Sequence, residues 1–449
     1  IPIRSPGNGI DQNVDYAFLG AWNFVKEIKK KGKIFFKERW EVYIACTFSK
    51  INWHLMKIKQ LNKWIKNQKK INKMDVFNIN FNSIKGWNID TSKIYNDKKK
   101  FFSIEPYKFN DQQGKTWCQP LIVQKEVGIL GIIKKKIKSL DYYLLQAKIE
   151  PGNIDNIQLS PTVQATKSNY LRAHGGKKTK YINYFIKKKR NFNLVTSLRL
   201  SEQGTRYFEK SNKNILIESK KNKLKNYKSF IWVSKQNLIY LIKKKNLLNM
   251  DSISVFSSSI KKNEFDNPLN RFDKIKKRFI ELEKKFLIIK KKISFQDMKG
   301  WKVTKGKIYD IGKNFFSIIA LKIKSNSREV NSWSQPIISD HFRSFNGFLL
   351  KKFNDTNHYL LQLVLEPGFK KPKFTSTISI KNFNHKKHNV RYLNYFKVKK
   401  NILLDVINSD EGGRFFKNES RNMISILNNK KNFNLPKKYI WASHNQVVE

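Results

Sequence analysis

The sequence predicts an α+β protein made of two homologous halves. Three observations carry that prediction: a set of motifs occurs twice in the same order, an apolar stripe at helical spacing precedes each set, and period-two alternation fills the segments between. INFNSIKGWNIDTSKIYNDKKKFFSI from Ile79 returns without a gap as ISFQDMKGWKVTKGKIYDIGKNFFSI from Ile293. WCQPLI at Trp117 returns as WSQPII at Trp333, YLLQAKIEPG at Tyr143 as YLLQLVLEPG at Tyr359, and YINYF at Tyr181 as YLNYF at Tyr392. SEQGTRYF at Ser201 then matches SDEGGRFF at Ser409, and the IW of Ile231 and Trp232 that of Ile440 and Trp441. Six ordered matches amount to an internal duplication. They set the expected boundaries: a partly helical segment over 1–50, repeat 1 over 51–250, a linker and helix over 251–291, and a degenerate repeat 2 with a shortened C-terminus over 292–449.

The helical stripes come first in each copy. Leu55, Ile58, Leu61 and Ile65 precede repeat 1; Leu269, Phe272, Ile275, Phe279, Leu282 and Phe286 precede repeat 2, after Asn267 and Pro268, which read as a cap and a first-turn proline. Such amphipathic helices pack on their own domain or across a subunit interface. Strands follow. In YLLQAKIE, Leu145, Ala147 and Ile149 share one face and Leu144, Gln146, Lys148 and Glu150 the other, before Pro151-Gly152 turns the chain. In QLSPTVQAT, Leu159, Val163 and Ala165 face one way, Pro161 marks a bulge or edge, and Gln158, Ser160, Thr162, Gln164 and Thr166 face the other.

Composition bounds the partners. A net charge of +57 points first to nucleic acid or an anionic membrane, but the lysines fall in short runs from end to end, with matching excesses of Asn, Ile and Phe. That spread reads as base-composition drift at tolerant surface positions, where a nucleic-acid groove would gather cations on one element among aromatics. A hydrophobic fraction of 40% is too high for a disordered chain. Cys46 and Cys118 make no disulfide framework and fit a reducing cytoplasm. No run of about 18 apolar residues spans a bilayer. The opening IPIRSPGNGIDQNVDYAF lacks the order of a signal peptide, and its first residue, Ile1, leaves the true N-terminus open.

The segment from Ala147 to Gly176 holds only two lysines, in a chain otherwise saturated with them. Its polar face offers amides and hydroxyls that donate and accept, which suits a partly enclosed sugar or base pocket. A ladder within the sheet is the rival explanation. The second copy favours the pocket: KFTSTISIK keeps apolar Phe374, Ile378 and Ile380 but turns the other face into Lys373, Thr375, Thr377, Ser379 and Lys381, and Val364 replaces Lys148. The site is therefore expected in repeat 1, with Gln146, Lys148 and Glu150 beside Gln158, Thr162, Gln164 and Thr166, followed by Asn169, Tyr170, Arg172 and His174. Glu150 recurs in both copies, so a structural role competes with a catalytic one. Arg206 and Arg414, in matched segments, each could clamp phosphate or hold a buried carboxylate, and the matching favours the carboxylate. GILG at Gly128 lacks the spacing of a dinucleotide fingerprint, and no P-loop, HExxH or serine elbow occurs, so no metal is implied.

AKIEPGN, QLSPTVQATKSNY, RAHGG and SEQG in this order, with WCQPLI upstream, closely resemble the NDP-hexose 2,3-dehydratase family over about residues 51–449. The resemblance implies two Nudix-like halves without the Nudix metal box, a cytoplasmic homodimer, and elimination of water across carbons 2 and 3 of dTDP-4-keto-6-deoxyglucose in deoxysugar biosynthesis. A partner ketoreductase traps the diketo product, and no cofactor is needed. Lys148, Tyr170, His174 and Glu150 become the catalytic candidates. Gln119, Gln146, Gln158, Thr162, Gln164, Thr166, Asn169, Arg172 and Arg206 become the substrate contacts, with Arg172 on the diphosphate. Departures from the family are Asn96 and Asp310 at a position where it carries His, and EKSNKN after SEQG. They keep two alternatives open: a nucleotide-sugar-binding protein that has lost catalysis and, on charge alone, a basic nucleic-acid-binding protein.

Overall fold

Period-two alternation becomes sheet in both copies, and the two copies build the same sheet. The computed structural model describes residues 58–448 except 99–100, 138, 172–177, 188–189, 221–223, 261, 263–264, 329, 382, 384–389 and 428–433. One unit covers residues 1–64, of which 58–64 are described and helical; the other, residues 65–449, carries both sets of motifs. The segment 1–50, Leu55 and Cys46 lie outside the described residues.

The larger unit is mixed α/β and mostly sheet. In repeat 1 a seven-stranded sheet runs Phe192–Ser201, Ser211–Ser219, Gly128–Ile137, Leu140–Ile149, Phe230–Ser234, with Ile157–Ser160 added to the Leu140 strand and Val163–Ala165 to the Gly128 strand. Repeat 2 reproduces it strand for strand with Ile402–Ser409, Glu419–Ile426, Ser344–Phe353, Thr356–Val364 and Tyr439–Ser443, plus Lys373–Thr375 and Ile378–Ile380. The bulge or edge expected at Pro161 is a crossing point, where the chain leaves the edge of one strand for that of its neighbour.

The two copies are intertwined through their other sheets. Met74–Ile79 of repeat 1 pairs antiparallel with Phe316–Ser325 of repeat 2, and Ile288–Lys292, where the linker enters repeat 2, pairs with Ser103–Asp111 of repeat 1. Each copy thereby completes the other's sheet. Between these sheets lies one apolar core drawn from both copies, with Ile94, Ile104 and Ile122 against Phe316, Ile318 and Ile338. Indoles tie it reciprocally: Trp87 Nε1 donates to the Ser334 carbonyl at 2.8 Å, and its duplicate Trp301 to that of Cys118 at 2.7 Å. The recurring EPG turns are exchanged in the same way. Gly152 N donates to Gly412 O and Gly368 N to Gly204 O, both at 2.7 Å, so each turn is clasped by the other copy's SEQG-type loop.

Helices are few. Residues 58–71 are helical, and the predicted stripe buries Leu61 and Ile65 with Gln68. The second helix corrects the sequence reading at its start. It spans Phe272–Glu283, so Leu269 stays outside it and half-exposed, and Arg271 rather than Asn267 holds the cap position. Asn267 is engaged elsewhere, its backbone N–H donating to Thr356 Oγ1 at 2.9 Å. Among the described residues no helix is long and apolar enough to cross a membrane.

Candidate active site

The crossing point fixes the first of the predicted site residues. Thr162 Oγ1 donates to the Leu144 carbonyl and accepts from Ile133 N at 3.0 Å, joining two paired strands where they lose their mutual ladder. Thr377 does the same in repeat 2, between Leu349 N, at 2.9 Å, and Leu360 O. Both threonines are fully buried, and the one proton of the Thr162 hydroxyl is already given to the Leu144 carbonyl. Gln119 follows the same rule. Its amide donates to Thr205 O at 2.9 Å and accepts from Trp117, while Gln335 donates to Gly413 O at 2.9 Å and accepts from Trp333. A polar contact kept in both copies belongs to the fold.

Two more of the amides are engaged in packing. Gln158, 1% exposed, donates to Asn246 O at 3.1 Å and to Ser409 Oγ of repeat 2. Gln164 accepts from Asn249 Nδ2 at 3.2 Å, and Asn249 in turn caps the helix Met250–Ser257. Gln146 is half-buried opposite Ser160. Thr166 precedes the short helix Lys167–Tyr170; Asn169 on it is exposed, while Tyr170 packs on the core around Ile133 and Val163. Arg172 and His174 lie outside the described residues. Asn96 and Asp310, where the family pattern carries His, both brace turns: Asn96 donates to Gly86 O at 2.6 Å, and Asp310 accepts from Phe315 N at 3.1 Å.

Lys148 and Glu150 differ from all of these. Lys148 Nζ lies 2.7 Å from Glu150 Oε1, with both side chains largely buried. Around this pair the intertwining gathers groups that the linear sequence separates. Gly413 of repeat 2 sits so close that a Cβ there would meet Glu411 Oε1 at 3.0 Å and Glu150 Oε1 at 3.5 Å. Tyr207 Oη donates to Glu411 Oε2 at 3.3 Å. Glu202 accepts from Asn212, and Lys210 donates to the Glu126 carbonyl.

The electrostatics split these groups by proton affinity. Burial opposes ionisation of Glu150, but Lys148, Arg328 and Arg414 outweigh it and hold the carboxyl below its usual range. Glu366, its duplicate, has Val364 at the position of Lys148, and there burial outweighs Arg206, Lys373 and the backbone N–H groups of Gly204 and Thr205, pushing it up. Burial and the charge of Glu411 raise Glu202 to about 7, and burial with Glu411, Glu202 and Glu150 pushes Asp251 well above the carboxylate range. Burial lowers Lys210 and raises Tyr207.

A carboxyl raised from 4.5 to about 7 binds its proton more tightly folded than unfolded, so the stability it contributes at low pH is lost as pH climbs through that window. Glu202→Gln, which keeps the acceptor facing Asn212, is therefore expected to leave stability nearly unchanged at pH 4, below the unfolded-state value, and to raise it at pH 8 by on the order of 3 kcal/mol at most, with a higher melting temperature there. Thermal unfolding at the two pH values checks this; equal melting of wild type and variant at pH 8 contradicts it.

Sequence reading missed Glu202, Tyr207, Lys210, Asp251, Arg328 and Glu411. A signal for Tyr207, Lys210 and Glu411 was present. Where repeat 1 carries Lys148, Tyr207 and Lys210, repeat 2 has Val364, Phe415 and Asn418, and Glu411 stands where repeat 1 has Gln203. Duplication should make two equivalent clusters, one around Glu150 and one around Glu366. The substitutions concentrate the ionisable groups on the first.

Carboxyls with raised and lowered proton affinity beside buried cations, on a duplicated sheet scaffold, are an arrangement suited to acid–base chemistry. The comparisons with known proteins narrow the class. The model of the family described as NDP-hexose 2,3-dehydratase matches residues 58–258 and 273–449, and the chain belongs to that family. It is 30% identical over 384 residues to the dTDP-4-dehydro-6-deoxy-alpha-D-glucopyranose 2,3-dehydratase of Streptomyces violaceoruber, covering 81% of this chain and 86% of the relative. Proteins of the same name from Amycolatopsis orientalis and Saccharopolyspora spinosa are 29% and 28% identical, over 88% and 86% of this chain and 86% of each relative.

Proposed function

We propose that the protein removes water across carbons 2 and 3 of a dTDP-4-keto-6-deoxyhexose in deoxysugar biosynthesis, with the reaction housed around Lys148 and Glu150. The ketone at carbon 4 acidifies the hydrogen on carbon 3. A base takes that proton, the electrons pass to the ketone oxygen as an enolate, and the enolate collapses to expel the hydroxyl of carbon 2 as an acid protonates it. The enol at carbon 3 then becomes a ketone, giving a 3,4-diketo sugar that a partner ketoreductase consumes.

Ionised Glu150 is suited to the base role, and the ammonium of Lys148, paired with it, to balancing the enolate. Glu202, at about 7, suits either direction of proton transfer. Tyr170, Arg172 and His174 keep the roles that the family resemblance implies, and the enzyme acts as a cytoplasmic homodimer of Nudix-like halves. The observation that carries the reading is the one-sided loading of the duplicated clusters: Lys148 and Tyr207 have no ionisable counterpart in Val364 and Phe415.

Incubation with dTDP-4-keto-6-deoxyglucose and a trapping ketoreductase tests it. The expected result is a 2-deoxy product that depends on the protein. Tight dTDP binding without turnover gives the site to a non-catalytic nucleotide-sugar binder instead.

A further inference from the structure

Arg206 and Arg414 are duplicates in almost every contact. Arg206 stacks its guanidinium carbon 4.5 Å from the ring centre of Phe316, and Arg414 stacks 4.1 Å from that of Phe102, the matching phenylalanine of the other copy. Each donates Nη1 to the carbonyl just before it, Thr205 O at 3.3 Å and Gly413 O at 2.9 Å, and each buries its Nε without a partner among the described residues.

They part at the far end of the guanidinium. Arg206 Nη2 meets Asp340 Oδ1 at 2.6 Å, and Asn418 Nδ2 braces the other carboxylate oxygen at 2.9 Å. In the duplicate cluster the positions of Asp340 and Asn418 are held by Gln124 and Lys210. A carboxylate has gone and a cation has come. Among the described residues no carboxylate lies within 4 Å of Arg414, although the residue before it, Gly413, borders Glu150 and Glu411. Arg414 is also the more open of the two; Arg206 is buried. A guanidinium partly withdrawn from water, with no carboxylate in contact and only the longer-range charge of Glu150, is left short of an anion, and a second cation alongside adds to the cost. Keeping both is reasonable where an anion arrives from outside.

We infer that Arg414, contributed by repeat 2, completes the repeat 1 site by binding an anionic oxygen of the nucleotide sugar, taking from the ligand what Arg206 takes from Asp340. The inference rests on the functional reading above and deepens it. The oxygen belongs either to the diphosphate, which a guanidinium fork matches, or to the enolate formed beside Lys148.

Three variants test this: Arg414→Lys, Arg414→Gln and Gln124→Asp, each measured for dTDP affinity by calorimetry, for turnover of dTDP-4-keto-6-deoxyglucose and for melting temperature. Both Arg414 variants are expected to lose 100-fold or more in kcat/KM. A diphosphate contact shows as dTDP affinity weakened at least tenfold, an enolate contact as unchanged affinity with a fall in kcat. Gln124→Asp needs no cavity and restores the carboxylate, so it is expected to melt higher than wild type yet lose activity by capturing Arg414 internally. Wild-type kcat/KM and dTDP affinity in Arg414→Gln and Gln124→Asp, with the wild type active, overturn this inference alone. A wild type that neither binds dTDP nor turns over overturns the functional reading and this inference with it.

Discussion

Lys148→Ala is expected to lower kcat by roughly 10²–10³-fold, the range for removing a preorganised group that balances oxyanion charge, while dTDP affinity stays within about tenfold. The expectation follows from position. Lys148 is the one cation in ion-pair contact with Glu150 among the described residues, and the duplicate cluster, with Val364 in its place, lets burial raise Glu366 instead. Removing the ammonium therefore has two consequences at once: the enolate loses its balancing charge, and Glu150 loses the nearest group that keeps it ionised. Arg328 and Arg414 still act on Glu150. Folding should survive, with a stability loss below the ~3–5 kcal/mol typical of a buried charge stripped of its partner. Steady-state kinetics and a thermal melt separate the two effects, and Lys148→Arg, which restores charge at a different reach, should recover part of kcat. Val364→Lys should gain nothing, because Phe415 and the Asp340-bound Arg206 leave that cluster without the rest of the machinery. Wild-type turnover in Lys148→Ala removes this residue from the chemistry.

How far the sequence could be read follows from the reach of its signals. Ordered motif matches, alternation in YLLQAKIE and the EPG turns can be read along the chain, and the structure shows matching sheets in the two copies; QLSPTVQAT instead becomes two short strands on different neighbours, buried on both faces. The start of the second helix was misread because Asn267 and Pro268 form a local cap pattern, whereas the backbone N–H of Asn267 goes to Thr356, 89 positions away. On the polar face the same limit of reach applies to Thr162 in particular. Loss from the second copy was the criterion for function, yet Thr162 passed as functional although Thr377 survives as its counterpart and makes the same two hydrogen bonds. The composite character of the cluster had no one-dimensional trace. Glu411 and Arg414 lie in the copy judged degenerate, and only the exchange of turns between copies carries them to Glu150.

That exchange makes Gly152 the most sensitive position on the scaffold. A Cβ at Gly152 would lie 1.7 Å from the carbonyl oxygen of Phe415 and 2.8 Å from that of Gly412; at Gly368 it would lie 1.8 Å from that of Tyr207 and 2.6 Å from that of Gly204. All four obstacles are backbone, so no rotamer change relieves them, and the clasp must open. At Gly152 opening breaks the bond to Gly412 O and that from Lys417 N to Gly152 O, at 2.8 Å, and displaces the loop bearing Glu411 and Arg414. Overpacking at about 1–3 kcal/mol with two hydrogen bonds at about 1 kcal/mol each predicts a loss of roughly 4 kcal/mol for Gly152→Ala, a fall of roughly 5 °C in melting temperature for a unit of this size. Gly368→Ala should melt comparably low and lose activity as well, since the loop it displaces carries Glu202 and Tyr207 besides Arg206. Gly86→Ala is the control, with φ of +80° and nothing within 4 Å of the added carbon; only backbone strain of about 1–2 kcal/mol applies there. Calorimetric melts of the three variants decide the matter. If Gly152→Ala melts no lower than Gly86→Ala, the clasp is not what holds the copies in register.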